Sequence, residues 1–419
     1  MNRRNFSQLL LSAPAFAAAG MSASGTLPQT RAEFEAKARA IVKGRSPKYV
    51  TRRAHGLQMV YTVMGQGGGM DLMFQSSPDL GDTFTEPVRV NNVPGEVSDH
   101  GENSPQLFYS DAADSIYAVW NARVKDASGT LVRFASSSAM RPGWSKAVTI
   151  NDDGAEASHG FQGAAVGPDG TIYAGWLDMR GRSQSENYTG SGSAVYVSIS
   201  KDGGKTFSKN VQVARDVCPC CRVSFGFAKG QVVVAWRGIE AGDMRDIWIA
   251  SSSDSGATWG KQRLAVRDGW KIKGCPHVGP SIATLNGVLY MAWFSEAGGK
   301  PAILMADSAD GGKTWLHRAS VSTGTTDPTH PQLAEGEDRI GLVFQAREGA
   351  KGAGWGKVGA YYREITGPGA LTPLQRAGEG AVTSNYPSVA LGMSGRIFIG
   401  WSETTGDGAS AYLVRGRRG

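Results

Sequence analysis

Cysteine, clustered charge and long apolar runs are all scarce in this sequence. Each shortage excludes some classes of fold or function. Only four of the 419 residues are cysteine, and three of them fall between positions 218 and 221. No Lys/Arg run is interleaved with aromatic residues, so the net charge of +7 does not predict nucleic-acid binding. Long apolar helical patterns are rare after residue 45. Together with 57 glycines, this composition predicts many short strands joined by tight turns.

The N-terminus has the pattern of an export signal. Arg3-Arg4 is followed by a leucine run and an alanine-rich stretch with small residues at 15–17. This order resembles a twin-arginine signal peptide, so residues 1–25 are predicted to be removed and the mature protein to be periplasmic or secreted. The apolar segment is too short to span a membrane. Export would also permit disulfides.

The rest of the chain divides into a short lead-in and one large domain. Residues 26–45 are predicted to be a helical lead-in, because Phe34, Ala38, Ile41 and Val42 recur at helical spacing. Residues 46–419 are predicted to form the main domain, and we expect a monomer.

Two internal repeats decide the fold class. The first has the form Ser-x-Asp-x-Gly-x-Thr-aromatic and occurs at 77–84, 200–207, 252–259 and 308–315. Its Asp and Gly suit a β-turn. The second pairs a strand, a small turn and an aromatic-ended strand. It starts seven times, at residues 46, 104, 162, 222, 280, 331 and 387, in steps of 51 to 60 residues. That period suits one four-stranded blade of a β-propeller per repeat.

The first repeat resembles the Asp-box of the sialidase superfamily, and the resemblance covers nearly the whole chain. The predicted fold is therefore all-β, a sialidase-like β-propeller of four-stranded blades. Seven blades are predicted from the repeats, with an N-terminal strand completing the seventh. Sialidases have six blades, so six blades with a decorated edge is one alternative, and a β-sandwich with insertions is another.

Chemically distinctive residues occupy one position of the second repeat, just before each innermost strand. In a propeller these positions converge on one end of the central channel, where ligands bind in propeller enzymes. All four cysteines and four of the six histidines lie there. The residues, in chain order, are Arg45, Asp99, His100, Glu102, His159, Cys218, Cys220, Cys221, Cys275, His277, His330, Asn385 and Tyr386.

The convergence allows three interpretations of the cysteines. In the first, Cys218, Cys220, Cys221 and Cys275 join His277, His159, His330 and His100 around a soft metal, with copper favoured over zinc. In the second, export has oxidised the thiols, and Cys275 forms a disulfide with one of the other three. In the third, the thiols are redox-active.

The sialidase resemblance also implies a catalytic set, and only part of it is present. Sialidases bind a substrate carboxylate with three arginines and use a Tyr nucleophile assisted by Glu. Arg45 and Arg237 match two of the arginines. Tyr386 opens the seventh innermost strand, so it is the candidate nucleophile only if the propeller has six blades. Cysteine and histidine stand where the Glu and the usual Tyr would fall. The chain also resembles exported bacterial sialidase-like proteins with a Cys-x-Cys-Cys motif. We therefore expect a metal ion, or a small anionic or glycan ligand, at the channel mouth. A divergent glycoside hydrolase and a non-catalytic glycan- or protein-binding propeller remain alternatives.

Overall fold

The computed structural model describes residues 31–52, 56–65, 68–138, 143–183, 190–347, 357–378 and 384–419. The predicted signal peptide, 1–25, lies outside these ranges. Within them, the helix α1 (Arg180–Ser183) is a single turn. No helix in the described ranges is long and apolar enough to cross a membrane. The strands, in chain order, are as follows.

Before the first blade come β1 (Ala32–Phe34) and β2 (Arg39–Lys43). Blades 1 and 2, with the short β7 between them, contain β3 (Arg45–Arg52), β4 (Gly56–Met64), β5 (Met70–Ser77), β6 (Val88–Arg89), β7 (Val97–Ser98), β8 (Gln106–Ser110), β9 (Ser115–Arg123), β10 (Thr130–Ser138) and β11 (Val148–Thr149). Blades 3 and 4 contain β12 (His159–Val166), β13 (Ile172–Asp178), β14 (Ala194–Ser200), β15 (Val211–Arg215), β16 (Ser224–Ala228), β17 (Gln231–Arg237), β18 (Ile247–Ser252) and β19 (Arg263–Val266).

Blades 5 to 7 contain β20 (Ser281–Leu285), β21 (Val288–Ser295), β22 (Ala302–Ser308), β23 (Leu316–Ser320), β24 (Thr326–Glu335), β25 (Ile340–Arg347), β26 (Val358–Gly367), β27 (Ala370–Leu371), β28 (Gln375–Arg376), β29 (Asn385–Leu391), β30 (Arg396–Thr405) and β31 (Gly408–Arg418).

Seven antiparallel blades surround one channel, which confirms the predicted all-β propeller. Blades 1 and 2 share one sheet because β7 pairs with both β5 and β9, and the other five blades are separate sheets. The strand pairings therefore support seven blades rather than six. Residues from all seven innermost strands line a central cavity of about 390 Å³.

The predicted N-terminal helix is wrong, because residues 32–43 form strands. Ala32 pairs with Arg418, and Arg39 pairs with Leu413, so β1 and β2 both lie along β31. An unpaired β31 would expose a row of backbone hydrogen-bonding groups at the sheet edge. Pairing with that edge outweighs the local helical spacing and supplies the predicted N-terminal strand of blade 7.

Each Asp-box is a closed turn at the end of a third strand. In blade 4, Asp254 accepts hydrogen bonds from the hydroxyl of Ser252 at 2.7 Å and from the amide of Thr258 at 2.9 Å. Gly256 has a φ of +83°, a conformation that disfavours side chains. The aspartate therefore forms the turn, as predicted.

The core lies between neighbouring blades. Five tryptophans, one at the same place in the second strand of each of five blades, are almost completely buried: Trp120, Trp176, Trp236, Trp293 and Trp401. Their burial fixes each blade against the next and so fixes the loops that lead into the innermost strands. The four cysteines, His100 and His277 lie in those loops.

Candidate functional site

Three thiols form a compact buried triangle in the loop between β15 and β16. The Sγ atom of Cys218 lies 3.6 Å from that of Cys220 and 3.6 Å from that of Cys221, and the last two atoms are 3.9 Å apart. Sulfur ligands on one ion at about 2.3 Å would be separated by about 3.8 Å in a tetrahedral site and about 4.0 Å in a trigonal planar one. The thiols therefore have the spacing of a shared metal ion. We call Cys218, Cys220 and Cys221 the inner thiol site.

Backbone hydrogen bonds hold this loop in place without a bound ion. The amide of Cys218 donates to the carbonyl of Arg237 on β17 at 3.0 Å, and the amide of Val217 donates to Ser193 at 3.0 Å. Asp216 has a φ of 57°, which turns the chain out of β15. The sequence Cys-Pro-Cys-Cys can then place three sulfur atoms on one side of a single turn.

Two buried guanidinium groups set the electrostatics of the inner thiol site. Arg245 donates to the sulfur of Cys218 at 3.2 Å. Hydrogen bonds from Cys220 and Cys221, together with Arg237 and Arg245, hold the pKa of Cys218 well below that of a free thiol. Hydrogen bonding to Cys218 raises the pKa of Cys220, and burial raises that of Cys221. One thiolate is thus stabilised, and the other two thiols donate to it.

A second group of ligand atoms meets the first at Cys220. The Sγ atoms of Cys220 and Cys275 and a ring nitrogen of His277 lie within 4.8 Å of one another. Cys220 is buried, whereas Cys275 and His277 are exposed. We call Cys220, Cys275 and His277 the outer site. The structure therefore brings together five of the eight predicted metal ligands.

All four cysteines are described, and all four are free thiols. The sulfur separations within the inner thiol site are far longer than the ~2.05 Å of a disulfide bond. The structure therefore does not show the alternative in which Cys275 is bonded to one of the other three.

His159 does not reach the cysteines. Its Nδ1 is 2.6 Å from the carbonyl oxygen of Thr130, and its Nε2 lies 3.0 Å from Asp153 and 3.3 Å from Asp178. Both nitrogens face oxygen acceptors, so both carry protons. Burial opposes the charge, but the two carboxylates outweigh it and raise the pKa of His159 to about 9.

Arg180 completes this ion-pair cluster, which also has the ligand types of a metal site. Its guanidinium donates to Asp178 through Nε at 3.0 Å and Nη2 at 2.8 Å, and Nη2 lies 3.2 Å from Asp153. The carboxylates are thus already paired with two cations. His159 is a structural cation here, and the prediction that it joins the cysteines does not hold.

His330 and Tyr386 lie at the channel axis, and among the described residues neither belongs to a group of candidate metal ligands. Their ring centroids are 4.4 Å apart. Both residues have a positive φ, 55° and 51°, because the innermost strands bulge where they begin. Both ring nitrogens of His330 are buried without a hydrogen-bond partner. Burial lowers the pKa of His330 and raises that of Tyr386.

His100 is exposed on the same face, where its ring lies edge-on to Phe161 at 6.3 Å. Among the described residues, no group of potential metal ligands includes His100 or His330.

Arg237 is not available to a ligand carboxylate. It is 1% exposed, and its guanidinium donates to the carbonyls of Val278, Arg245 and Phe294 at 2.6 to 3.2 Å. Its sequence match to a sialidase arginine is therefore misleading, because the side chain anchors blade 4 to blade 5. Arg45 remains half-buried at the start of β3.

Two charged residues at the axis, Arg222 and Lys48, were not among the predicted site residues. Arg222 lies 4.0 Å from Glu102, and its guanidinium faces the side-chain amide of Gln332. Lys48 lies in the same cluster, where burial and then Arg222 lower its pKa to about 8. Lys48 and Gln332 occupy the same place in the repeat, two residues after the start of the bulge. This shared repeat position could have indicated from the sequence that both side chains lie at the axis. Arg245 was not among the predicted site residues either, although it donates to the sulfur of Cys218.

Comparisons with known proteins support the fold of this chain but assign it no family. No protein-family model matches the sequence, and no curated protein matches it. Among solved structures, an ulvan lyase of polysaccharide lyase family PL25 aligns at 12% identity with a TM-score of 0.54, covering 92% of this chain and 96% of that one. A Trypanosoma rangeli sialidase aligns at 15% identity and a TM-score of 0.47, covering 90% of this chain and 54% of that one. An intramolecular trans-sialidase from Ruminococcus gnavus aligns at 10% and 0.46, covering 90% and 94%.

Proposed function

We propose that this protein is an exported β-propeller that binds a soft metal ion at the inner thiol site, with Cu(I) preferred over Zn(II). The observation that carries the proposal is the buried sulfur triangle with edges of 3.6 to 3.9 Å. Thiolate sulfur is the ligand that Cu(I) and Zn(II) share in proteins. The export signal predicted at residues 1–25 supports a periplasmic or secreted location, and a monomer is the expected state.

The number and charge of the ligands favour Cu(I). Among the described residues, no fourth His, Cys, Asp or Glu ligand atom lies within 4.8 Å of all three sulfurs. Structural zinc sites almost always have four ligands, so a three-sulfur site fits zinc poorly. Three thiolates and Cu(I) together carry two negative charges, which Arg237 and Arg245 would balance. Such balance matters because the site is buried.

The proposal is tested by titrating protein without a polyhistidine tag with Cu(I) against a chromophoric Cu(I) chelator, under anaerobic conditions. The wild type is expected to take one ion into the inner thiol site. Cys218→Ser and Cys221→Ser should weaken binding by about 100-fold or more, since even residues that only orient a ligand contribute 10- to 100-fold. X-ray absorption should show sulfur neighbours at about 2.3 Å. Equal affinity in the wild type and both variants would refute the proposal.

His100→Asn is the matched control for these variants. His100 is exposed at the same end of the channel and belongs to no group of candidate ligands in the described part of the chain. Its replacement should leave Cu(I) affinity unchanged. Circular dichroism spectra matching the wild type would show that the serine variants are folded.

The charged cluster at the channel axis supports a second candidate function, binding of an acidic glycan. Lys48 and Arg222 are cations beside Tyr386 and the unpartnered ring of His330. The ulvan lyase structure is described as bound to a glucuronic acid–sulfated rhamnose unit. Uronate polysaccharides and sialosides should be screened for binding and turnover with the wild type and Tyr386→Phe. A signal that the variant lacks would support this function, and no signal with any acidic glycan would count against it.

A further inference from the structure

The outer site raises the question of how an ion reaches three buried thiols. Cys218 and Cys221 are 0% exposed and Cys220 is 4% exposed. A metal ion cannot bind all three from solution without first passing an accessible ligand. Cys275 and His277 are accessible, and their ligand atoms lie within 4.8 Å of the sulfur of Cys220.

A surface pocket opens onto the outer site. Its volume is about 650 Å³, and its lining includes Cys275, Pro219, Arg245, Asp216 and Asp243. Pro219 stands between Cys218 and Cys220, and Arg245 donates to Cys218, so the wall of this pocket is also the wall of the inner thiol site. The carboxylates at the pocket favour approach of a cation.

We propose that the outer site is a loading site, which receives the metal ion from the pocket and passes it to the inner thiol site through Cys220. This inference rests on the proposed metal-binding function. Cys220 belongs to both groups of ligand atoms, so its sulfur can hold the ion in both positions. The ion then exchanges its other ligands without being released to water.

The transfer of the ion from the outer site to the inner thiol site exchanges ligands and protons and needs no oxidant or reductant. Cu(I) first binds the sulfurs of Cys275 and Cys220 and a nitrogen of His277, and each thiol that binds loses its proton to water. The bonds to Cys275 and His277 then break, and bonds to the sulfurs of Cys218 and Cys221 form. Cys218 is already a thiolate, so only Cys221 gives up a proton to water in this step, and Cys275 regains one from water. Copper remains Cu(I) throughout.

The test compares the rate of Cu(I) loading with the final extent of loading. Cu(I) is supplied as its complex with a chromophoric chelator, and stopped-flow absorbance follows its loss from the chelator. Cys275→Ser and His277→Asn are expected to load more slowly by about tenfold or more, the scale on which loss of a ligand-supporting residue acts. Both should still reach wild-type occupancy and wild-type affinity. Asn is chosen at 277 because the residue has a φ of 53°, which Asn tolerates.

His100→Asn is again the control and should load at the wild-type rate. Loading of Cys275→Ser and His277→Asn at the wild-type rate would overturn the loading site and leave the inner thiol site intact. A loss of final occupancy in both variants would also overturn it, because these residues would then be permanent ligands. Failure of the wild type to bind Cu(I) would instead refute the proposed function itself.

Discussion

The His159 ion-pair cluster gives a prediction whose size can be worked from the structure. The pKa of His159 rises from 6.5 to about 9 on folding. One unit of pKa corresponds to 1.36 kcal/mol, so the imidazolium contributes about 3 kcal/mol to the free energy of unfolding. A raised pKa stabilises the folded state fully below about pH 6.5, the unfolded value. The contribution is lost as the pH rises through about 9.

The perturbation is His159→Gln, which keeps a polar side chain but cannot carry the charge between Asp153 and Asp178. Urea unfolding of both proteins should be followed from pH 6 to pH 10. At pH 6 the variant should be less stable by about 3 kcal/mol, and the difference should shrink towards zero near pH 10. The comparison must be between the two proteins, because Lys48 acts in the opposite direction. Its pKa is lowered to about 8, so its destabilising effect is relieved over the same pH range.

His317→Gln is the matched control, since His317 also faces a carboxylate, that of Asp307 at 2.9 Å, but its side chain is 52% exposed. Its replacement should have little effect on stability. A constant difference between wild type and His159→Gln from pH 6 to pH 10 would refute the imidazolium assignment. Loss of wild-type stability on adding a metal chelator, absent in His159→Gln, would show that Asp153, His159 and Asp178 hold a metal after all.

Three further predictions concern the scaffold that positions the site. Gly163→Ala should destabilise the protein by about 3 kcal/mol in urea unfolding, because the added Cβ would lie 2.2 Å from the carbonyl oxygen of Val223 in the next blade. Gly181→Ala, where nothing lies within 4 Å, should be neutral, and equal effects of the two would contradict this reasoning. Arg237→Met should lower the free energy of unfolding by about 3 kcal/mol or more in the same measurement, since it leaves buried carbonyls of blades 4 and 5 unpaired. A decrease below about 1 kcal/mol would contradict the anchoring role of Arg237. Deletion of residues 1–43 should expose the edge of β31 and cause concentration-dependent aggregation, measured by light scattering, and a monodisperse truncated protein would contradict the edge-closing role of β1 and β2.

The repeat pattern predicted the scaffold well because it depends on local chemistry. Ser252, Asp254 and Thr258 form their turn with partners no more than six residues away, so the Asp-box could be read directly. The helix predicted near Phe34 failed for the opposite reason, since the partner that decides its structure, β31, lies almost four hundred residues later.

The candidate site was predicted in part, and the errors have a common cause. Repeat alignment places a residue at a blade position but does not give the direction of its side chain. Cys220, Cys275 and His277 turn towards one another across blades 4 and 5. His159, at an aligned position, turns instead into its own blade, towards Asp153 and Asp178. Arg237 matched a ligand-binding arginine in sequence, yet its side chain is enclosed between two blades.

The sequence by itself determined the all-β class, the seven repeats, the turns that join the strands and the end of the channel that carries the cysteines, because period and turn chemistry act over a few residues. Only the tertiary structure decided which ligands meet. The triangle of Cys218, Cys220 and Cys221 depends on hydrogen bonds that hold its loop to Ser193 and to β17, and on Arg245. The contact of Cys220 with Cys275 and His277 depends on the packing of blade 4 against blade 5. Distances between side chains from different blades are set by that packing, and no local pattern encodes them.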